Sequence, residues 1–159
     1  MDTGIVERAL SGKKNQPRQL IEVLQDIQEA EGYIPEDGMR VVSAELGVPL
    51  IEVYRVASFY KAFSLTPRGK HLLTVCTGTA CHVRGSLRLL DELQGQLNVR
   101  PGETTEDQQF TLEAVNCLGA CALGPVVVLD GQYHDHMTPG KLRNLIQSIR
   151  EGEEVTVDA

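Results

Sequence analysis

The sequence predicts an α/β fold, in which a small sheet with flanking helices is preceded by an N-terminal helical arm. Two observations lead to this prediction. Over residues 15–66, apolar side chains recur at helical spacing and are punctuated by Gly and Pro. Over residues 67–150, strand-like segments are interspersed with helical ones, which is typical of a sheet covered by helices. Residues 1–14 are expected to form a flexible N-terminus and residues 151–159 an acidic tail.

The helical arm is predicted to contain three helices, each bounded by residues that favour helix starts and stops. They run from an Asn15 cap and Pro17 to Gly32, from about Pro35 to Leu46 before Gly47, and from Pro49 to Tyr60. The third helix has a broad apolar face. The aromatic side chains of this region are expected to form helix-packing core, namely Tyr54, Phe59, Tyr60 and Phe63.

In the second part of the chain, strands are predicted where apolar residues alternate or run continuously, and helices where apolar residues recur at helical spacing. The Asp130-Gly131 pair is a turn signal, and Thr138 with Pro139 is a helix start. The predicted elements are a strand at 72–75, a helix at 86–97, strands at 110–115 and 126–129, a short return strand near 132–136, and a helix from 139 to about 150.

Composition excludes several classes of protein. The 159 residues are 42% hydrophobic and 23% charged, as in ordinary soluble globular proteins, and no apolar run is long enough to cross a membrane. A net charge of −7 without a Lys/Arg cluster disfavours nucleic acid as a partner. The amino terminus shows no secretory signal pattern, so we expect a cytoplasmic protein without direct membrane insertion.

All four cysteines lie in the α/β part, in two short-spaced pairs. Cys76 and Cys81 are separated by Thr-Gly-Thr-Ala, and Cys117 and Cys121 by Leu-Gly-Ala. Each pair begins where a predicted strand ends, so the two pairs are able to meet at one edge of the sheet. The small residues between them let backbone N–H groups approach whatever the sulfurs bind.

Four interpretations of these thiols remain open on chemistry alone: disulfides, unrelated buried cysteines, a structural zinc site, and an iron–sulfur cluster. The cytoplasmic setting disfavours disulfides, and structural zinc sites usually repeat tighter C-x2-C spacings. An iron–sulfur cluster tolerates wider spacing and Gly-rich surroundings, which favours it. A thioredoxin-type dithiol activity is weakened because neither pair is C-x-x-C.

Several strings of the sequence together resemble one family. They are Val75-Cys-Thr-Gly-Thr-Ala-Cys-His-Val-Arg-Gly85, Pro101-Gly-Glu-Thr-Thr105, Asn116-Cys-Leu-Gly-Ala-Cys-Ala-Leu-Gly-Pro125 and His136-Met-Thr-Pro139, with Gly32-Tyr33-Ile34-Pro35 and Val56-Ala57-Ser58-Phe59-Tyr60 in the arm. This pattern resembles the thioredoxin-like [2Fe–2S] ferredoxin family. Its members include the 24-kDa-type (E-type) subunit of NADH dehydrogenase, respiratory complex I, and the diaphorase modules of NAD-linked hydrogenases and formate dehydrogenases.

The resemblance implies a thioredoxin-like sheet over residues 67–150 and one [2Fe–2S] cluster per chain, ligated by Cys76, Cys81, Cys117 and Cys121. It also implies that the arm over residues 15–66 docks on a partner subunit that binds FMN and NAD(H), with further iron–sulfur subunits in the same complex. The chain would then be a one-electron transfer subunit with no catalytic residues and no self-contained substrate site.

The kind of complex is predicted from two strings around the first cysteine pair, residues 65–71 and 78–85. They are more similar to hydrogenase and formate dehydrogenase relatives than to complex I, so a soluble complex of the former kind is favoured. The alternatives are a zinc-stabilised thioredoxin-like interaction module and a free-standing ferredoxin. No G-x-G-x-x-G or P-loop pattern is found, which places NAD(H) on another subunit.

Other side chains near the cysteines have weaker signals. His134 and His136 alternate on a predicted strand and so share a face, as two Rieske-type ligands do, but four well-placed cysteines make them unnecessary, and surface or supporting roles are expected. Arg84 and His82 lie next to Cys81, where they would tune the cluster, contact a partner or face solvent. Arg84 is the stronger candidate because a fixed cation favours the reduced, more negative cluster.

Overall fold

A computed structural model describes residues 3–151 of the chain. The chain divides into two compact units, Met1–Arg68 and Gly69–Ala159, close to the boundary expected between residues 66 and 67. The helices are α1 (Thr3–Ala9), α2 (Leu20–Glu31), α3 (Glu36–Leu46), α4 (Leu50–Phe59), α5 (Thr79–Val83), α6 (Ser86–Leu97) and α7 (Pro139–Glu151). The strands are β1 (His71–Cys76), β2 (Phe110–Val115), β3 (Val127–Leu129) and β4 (Gln132–His134). None of the helices within residues 3–151 has the length and apolar character needed to span a membrane.

The first unit is a bundle of helices around one apolar core. Helix α1 packs on α2 and α3, and α3 and α4 pack on each other. Gly32 and Gly47 follow the last residues of α2 and α3, as predicted, and both have the left-handed conformation. The core is formed mainly by side chains that are almost completely buried, among them Val6, Val23, Leu24, Ile27, Ile34, Val42, Leu46 and Val53.

The expected flexible N-terminus over residues 1–14 is wrong for the residues that form α1. Val6, Ala9 and Leu10 are 0%, 6% and 2% exposed and belong to the core of the helical unit. These residues follow the i, i+3, i+4 spacing of a helix face. The stripe covers a single turn, which is why it is overlooked beside the longer patterns that follow it.

The first predicted helix also begins differently from the prediction. Asn15 does not cap it, because Asn15 has a φ of 57° and its N–H donates to the carbonyl of Glu45 at 2.8 Å. Pro17–Gln19 form a 3₁₀ turn, and α2 starts only at Leu20. The backbone of Asn15 therefore joins the segment after α1 to the end of α3.

The prediction that the aromatic side chains of the arm are core is wrong for most of them. Phe63 is 9% exposed, but Tyr54, Phe59 and Tyr60 are 49%, 79% and 42% exposed, and Ile51 is 57% exposed. The fully buried side of α4 consists of Val53 and Ala57, and Leu50 and Val56 pack partly buried against the same core. The remaining apolar side chains lie at the surface of this unit. We call Ile51, Tyr54, Phe59 and Tyr60 the α4 apolar face.

The second unit contains a four-stranded sheet in the order β2-β1-β3-β4. β1 and β2 are parallel, whereas β3 is antiparallel to β1 and to β4. Because parallel neighbours need a crossover, the chain passes through α5 and α6 between β1 and β2. Helices α6 and α7 contribute Leu89, Leu93, Leu142 and Ile146 to the core of this unit, together with the apolar side chains of the sheet.

Most of the elements predicted here are confirmed, with α6 and β2 at the predicted bounds. Thr138 caps α7 by accepting a hydrogen bond from the Lys141 N–H at 3.3 Å, and Asp130 and Gly131 both have positive φ in the predicted turn. The short helix α5 was not predicted, because five residues give no periodic signal. Of the predicted acidic tail, Glu151 is the last residue of α7, and residues 152–159 lie outside the described residues.

Two glycines of the second unit are predicted to respond oppositely to alanine. A Cβ at Gly69 would lie 2.8 Å and 2.9 Å from backbone atoms of Phe110, whereas a Cβ at Gly95 in α6 meets nothing within 4 Å. We expect Gly69→Ala to lower the free energy of unfolding by about 1–3 kcal/mol and Gly95→Ala to raise it by up to about 1 kcal/mol. Urea denaturation of both variants checks this, and equal shifts of the same sign would contradict the described packing at the start of β1.

Candidate metal centre

The pairing of two parallel strands brings the two cysteine pairs together. Cys76 is the last residue of β1 and lies opposite Val115, the last residue of β2. The N–H and the hydroxyl of Thr77 both donate to the Val115 carbonyl, at 2.8 Å and 2.9 Å. Since parallel strands end at the same edge of a sheet, the loops that follow them start side by side. The expectation that the two pairs meet at one sheet edge is therefore confirmed.

The four thiols differ in exposure. Cys76 and Cys81 are buried, at 3% and 2% exposed, whereas Cys117 and Cys121 are exposed. Helix α5 turns the chain back after β1, so that Cys81 on this helix faces the buried end of the site. The result is a site with one buried pair of thiols and one pair at the surface.

Backbone N–H groups are directed at the sulfur of Cys76. Burial works to raise the pKa of this thiol, but hydrogen bonds from the N–H groups of Gly78 and Leu118 and from the thiols of Cys81 and Cys117 outweigh it, so the pKa lies below its ordinary value. N–H donors from both cysteine loops thus point to the sulfur of Cys76. A lowered pKa favours the thiolate, which is the form that binds a metal.

The other sulfurs have related surroundings. Burial raises the pKa of the Cys81 thiol; the Val126 N–H, which donates to this sulfur, opposes that shift, and the neighbouring Cys76 adds to it. The N–H of Gly119 donates to the sulfur of Cys117 at 3.3 Å. Hydrogen bonds of this type stabilise the negative charge of metal-bound sulfur.

Two glycines allow the close approach that this arrangement needs. A Cβ at Gly78 would lie 2.5 Å from the carbonyl oxygen of Asn116, so any other residue would push the two cysteine loops apart. A Cβ at Gly124 would lie 3.0 Å from the sulfur of Cys81. Gly78 was identified from the sequence as one of the small residues of the first loop, whereas Gly124 was missed because it lies outside the cysteine pairs.

A pocket of about 620 Å³ opens between the loops. Its walls come from the residues between Cys76 and Cys81, from α5 and from the second cysteine pair, and include Gly78, Ala80, Val83, Arg84, Cys117 and Cys121. The pocket therefore joins the exposed thiols to the surface on the side of α5.

The chemistry of these donors fits a [2Fe–2S] cluster. Such a cluster is held by four thiolates, two on each iron, and the thiol of Cys76 contacts those of Cys81 and Cys117. Within residues 3–151, no group of three His, Cys, Asp or Glu side chains is arranged to hold a single metal ion. The four thiols, the N–H donors at three of the sulfurs and the glycines at the closest approach are the features that would hold and stabilise the cluster.

The remaining residues singled out from the sequence lie around this site. His82 is exposed, and Arg84 at the end of α5 donates hydrogen bonds into the second cysteine loop. His136 is exposed and paired with Asp135, although its backbone N–H donates to the carbonyl of Leu123 at 2.9 Å. Burial lowers the pKa of the half-buried His134. The Gly124–Pro125 peptide bond is cis.

Comparison with known proteins identifies a family model and relatives that are similar to this chain. The family model described as thioredoxin-like [2Fe-2S] ferredoxin matches residues 6–150. The chain is 35% identical over 127 residues to the NADP-reducing hydrogenase subunit HndA of Solidesulfovibrio fructosivorans, covering 80% of this chain and 74% of that protein. It is also 35% identical over 151 residues to an E-type subunit of the NADH-quinone oxidoreductase of Rhizobium meliloti (strain 1021), covering 95% and 90% of the two chains.

A solved structure supports the fold. The chain superposes with a TM-score of 0.73 and 21% identity on a crystal structure of an NAD+-reducing [NiFe]-hydrogenase in the air-oxidized state. The match covers 84% of this chain and 23% of that chain, so the present protein spans about a quarter of the hydrogenase polypeptide. With the predicted α/β architecture confirmed and the family model matching both units, the chain belongs to the thioredoxin-like [2Fe–2S] ferredoxin family.

Proposed function

We propose that this chain is the one-electron transfer subunit of an NAD(H)-linked oxidoreductase complex, and that Cys76, Cys81, Cys117 and Cys121 ligate its [2Fe–2S] cluster. The observation that carries the proposal is the meeting of the two cysteine loops at one end of the β1–β2 pair, with backbone N–H groups directed at the sulfurs. When bound, the cluster accepts and releases a single electron.

The protein's contribution is to hold negative charge without moving the ligands. An all-thiolate [2Fe–2S] cluster carries a formal charge of about −2, and about −3 after reduction. The N–H groups of Gly78, Leu118 and Gly119 place partial positive charge at the sulfurs of Cys76 and Cys117. Such hydrogen bonds stabilise the reduced state and thereby raise the reduction potential above that of a bare cluster.

The electron partner is proposed to be a flavoprotein subunit that binds FMN and NAD(H). The sequence lacks a dinucleotide-binding pattern of its own, and its relatives are named as subunits of a hydrogenase and of an NADH-quinone oxidoreductase. Among complexes, we favour a soluble NAD-linked hydrogenase or formate dehydrogenase, followed by respiratory NADH-quinone oxidoreductase. Formate dehydrogenase stays a prediction from the resemblance, as does a cytoplasmic location.

The helical unit is proposed to dock on this flavoprotein through the α4 apolar face. Its aromatic side chains lie at the surface, with Phe59 79% exposed, and exposed aromatic side chains are enriched in protein interfaces. Phe59 and Tyr60 also contact each other edge to face, with ring centroids 5.1 Å apart. Docking would bury this face, whose side chains are 42–79% exposed within the described helical unit.

The first prediction concerns the cofactor of the purified full-length chain. We expect about two irons and two sulfides per chain and an S = ½ EPR signal that develops only on reduction with dithionite. Anaerobic metal and sulfide analysis with low-temperature EPR measures this. A colourless chain that holds zinc would instead identify the zinc-stabilised module, and insulin reduction without metal would identify a dithiol oxidoreductase.

The second prediction concerns ligation by Cys117. We expect Cys117→Ser to lose or alter the visible absorbance and the EPR signal, because a hydroxyl replaces a thiolate ligand, while helix content stays unchanged because Cys117 is exposed. Ala122→Ser, which adds a hydroxyl to an exposed position of the same loop, is the matched control and should keep the cluster. Absorption spectra of Cys117→Ser identical to those of the control would remove Cys117 from the ligand set.

The third prediction concerns the complex. The tagged full-length chain, purified anaerobically from its native cells, should bring down bound FMN and NADH-dependent reductase activity. Reduction of NAD(P)+ by H₂ would identify the hydrogenase, and NADH–quinone activity without reaction with H₂ would identify the respiratory complex. A chain that is recovered alone, with its cluster but without flavin, would be a free-standing ferredoxin.

Two variants test the docking face in the same purification. Phe59→Glu should reduce the recovered FMN several-fold, because a charge replaces an exposed aromatic side chain at the proposed interface. Gln25→Glu changes an exposed position of α2 and should leave recovery unchanged. Equal recovery with both variants would exclude Phe59 from the interface.

A further inference from the structure

Arg84 connects the segments that carry two cysteines from different pairs. It follows the last residue of α5, the helix that contains Cys81. Its guanidinium Nη1 donates to the carbonyl oxygen of Cys121 at 2.8 Å, and is 3.3 Å from that of Gly124 and 3.4 Å from that of Ala122. The guanidinium therefore closes the second cysteine loop onto the first.

The contacts of Arg84 leave its charge available to the site. All three acceptors are backbone carbonyls, which orient the guanidinium but do not neutralise it. A Cβ at Gly124 would lie 3.4 Å from Arg84 Nη1 and 3.0 Å from the Cys81 sulfur, so Nη1 and this sulfur are at most about 6.4 Å apart. Unit charges interact appreciably in proteins over such a distance. The position of this positive charge is therefore fixed beside a proposed ligand.

We propose that Arg84 is a positioning residue with two effects on the cluster: it slows cluster loss by holding the Cys121 loop against α5, and it raises the reduction potential. The inference rests on the proposed ligation by the four cysteines. The sign of the second effect follows from charge. Reduction makes the cluster more negative, a nearby cation stabilises the reduced form more than the oxidised form, and the potential therefore rises.

The guanidinium suits this role better than another cation. Arg has a planar fork of N–H donors and keeps its charge at all physiological pH values, whereas Lys is a compact charge on a flexible chain. A Lys at this position would keep the charge near Cys81 but would not reproduce the set of contacts to the Cys121–Gly124 carbonyls. The two effects are therefore separable by substitution.

The test uses the full-length chain loaded with its cluster, in four forms: wild type, Arg84→Gln, Arg84→Lys and Arg88→Gln. Arg88 is an exposed residue of α6 near Arg84, so Arg88→Gln removes the same charge from a neighbouring position and is the matched control. Two quantities are measured: the rate of cluster loss to an iron chelator, from the decay of visible absorbance, and the midpoint potential, from an EPR-monitored redox titration.

We expect Arg84→Gln to lose its cluster about tenfold faster. Its ratio of reduced to oxidised cluster at the wild-type midpoint should fall about threefold to tenfold, a tenfold change corresponding to 59 mV for one electron. Arg84→Lys should lose its cluster faster than wild type but keep a ratio within about twofold, because the charge remains. Arg88→Gln should resemble wild type in both quantities.

Several outcomes would overturn the inference. If Arg84 acts only as a surface charge, Arg84→Gln and Arg88→Gln will be equal in both quantities, and that equality would refute both effects. Faster loss at an unchanged potential in Arg84→Gln would refute the electrostatic effect. If Arg84→Gln never holds a cluster, the effect of the carbonyl contacts is tested with Arg84→Lys. A rate of cluster loss equal to that of the wild type in Arg84→Lys would refute the contribution of these contacts. A wild-type chain without iron would refute the proposed ligation itself.

Discussion

The parallel pairing of β1 with β2 is the constraint on which the site depends. The register that places Cys76 opposite Val115 starts both cysteine loops at the same level of the same sheet edge. A shift by one residue would turn the alternating side chains to the opposite face, and would move Cys76 away from the second loop. The apolar core around these strands, which includes Leu73, Val75 and Leu112, therefore supports the geometry of the candidate metal centre.

Close approach of the two loops follows from the residues between the cysteines. Gly78 lies so near the Asn116 carbonyl that no side chain fits between them, and this contact lets the Leu118 N–H from the second loop reach the Cys76 sulfur. The small size of these side chains also exposes the backbone of both loops to the sulfurs. A negatively charged cluster bound at these four thiols would be stabilised by peptide dipoles whose directions are set by the fold.

The sequence was sufficient for the elements with strong periodic or punctuation signals and for the cysteine pairs. Helix α6 and strand β2 have the predicted bounds, since their apolar residues repeat over six residues or more. The sequence did not predict elements whose apolar pattern is short, or the burial of side chains that depends on tertiary packing. Helices α1 and α5 are too short for a pattern that repeats over several turns. Helix α4 has more apolar side chains than one packed face accommodates, and its aromatic residues were therefore assigned to the core although most of them lie at the surface. The contacts of Arg84 and Gly124 arise from chain segments about 40 residues apart, which local patterns do not reveal.

The unequal exposure of the thiols bears on how the site would exchange electrons. Cys76 and Cys81 are enclosed by the sheet and α5, whereas Cys117 and Cys121 face the surface pocket. Electron exchange weakens steeply with distance, so a partner cofactor gains most by approaching from the exposed side. The buried pair then provides what an exposed site lacks, namely a rigid attachment to the core of the sheet. The arrangement combines access at one pair of ligands with fixed geometry at the other, which is what a carrier of single electrons between protein partners requires.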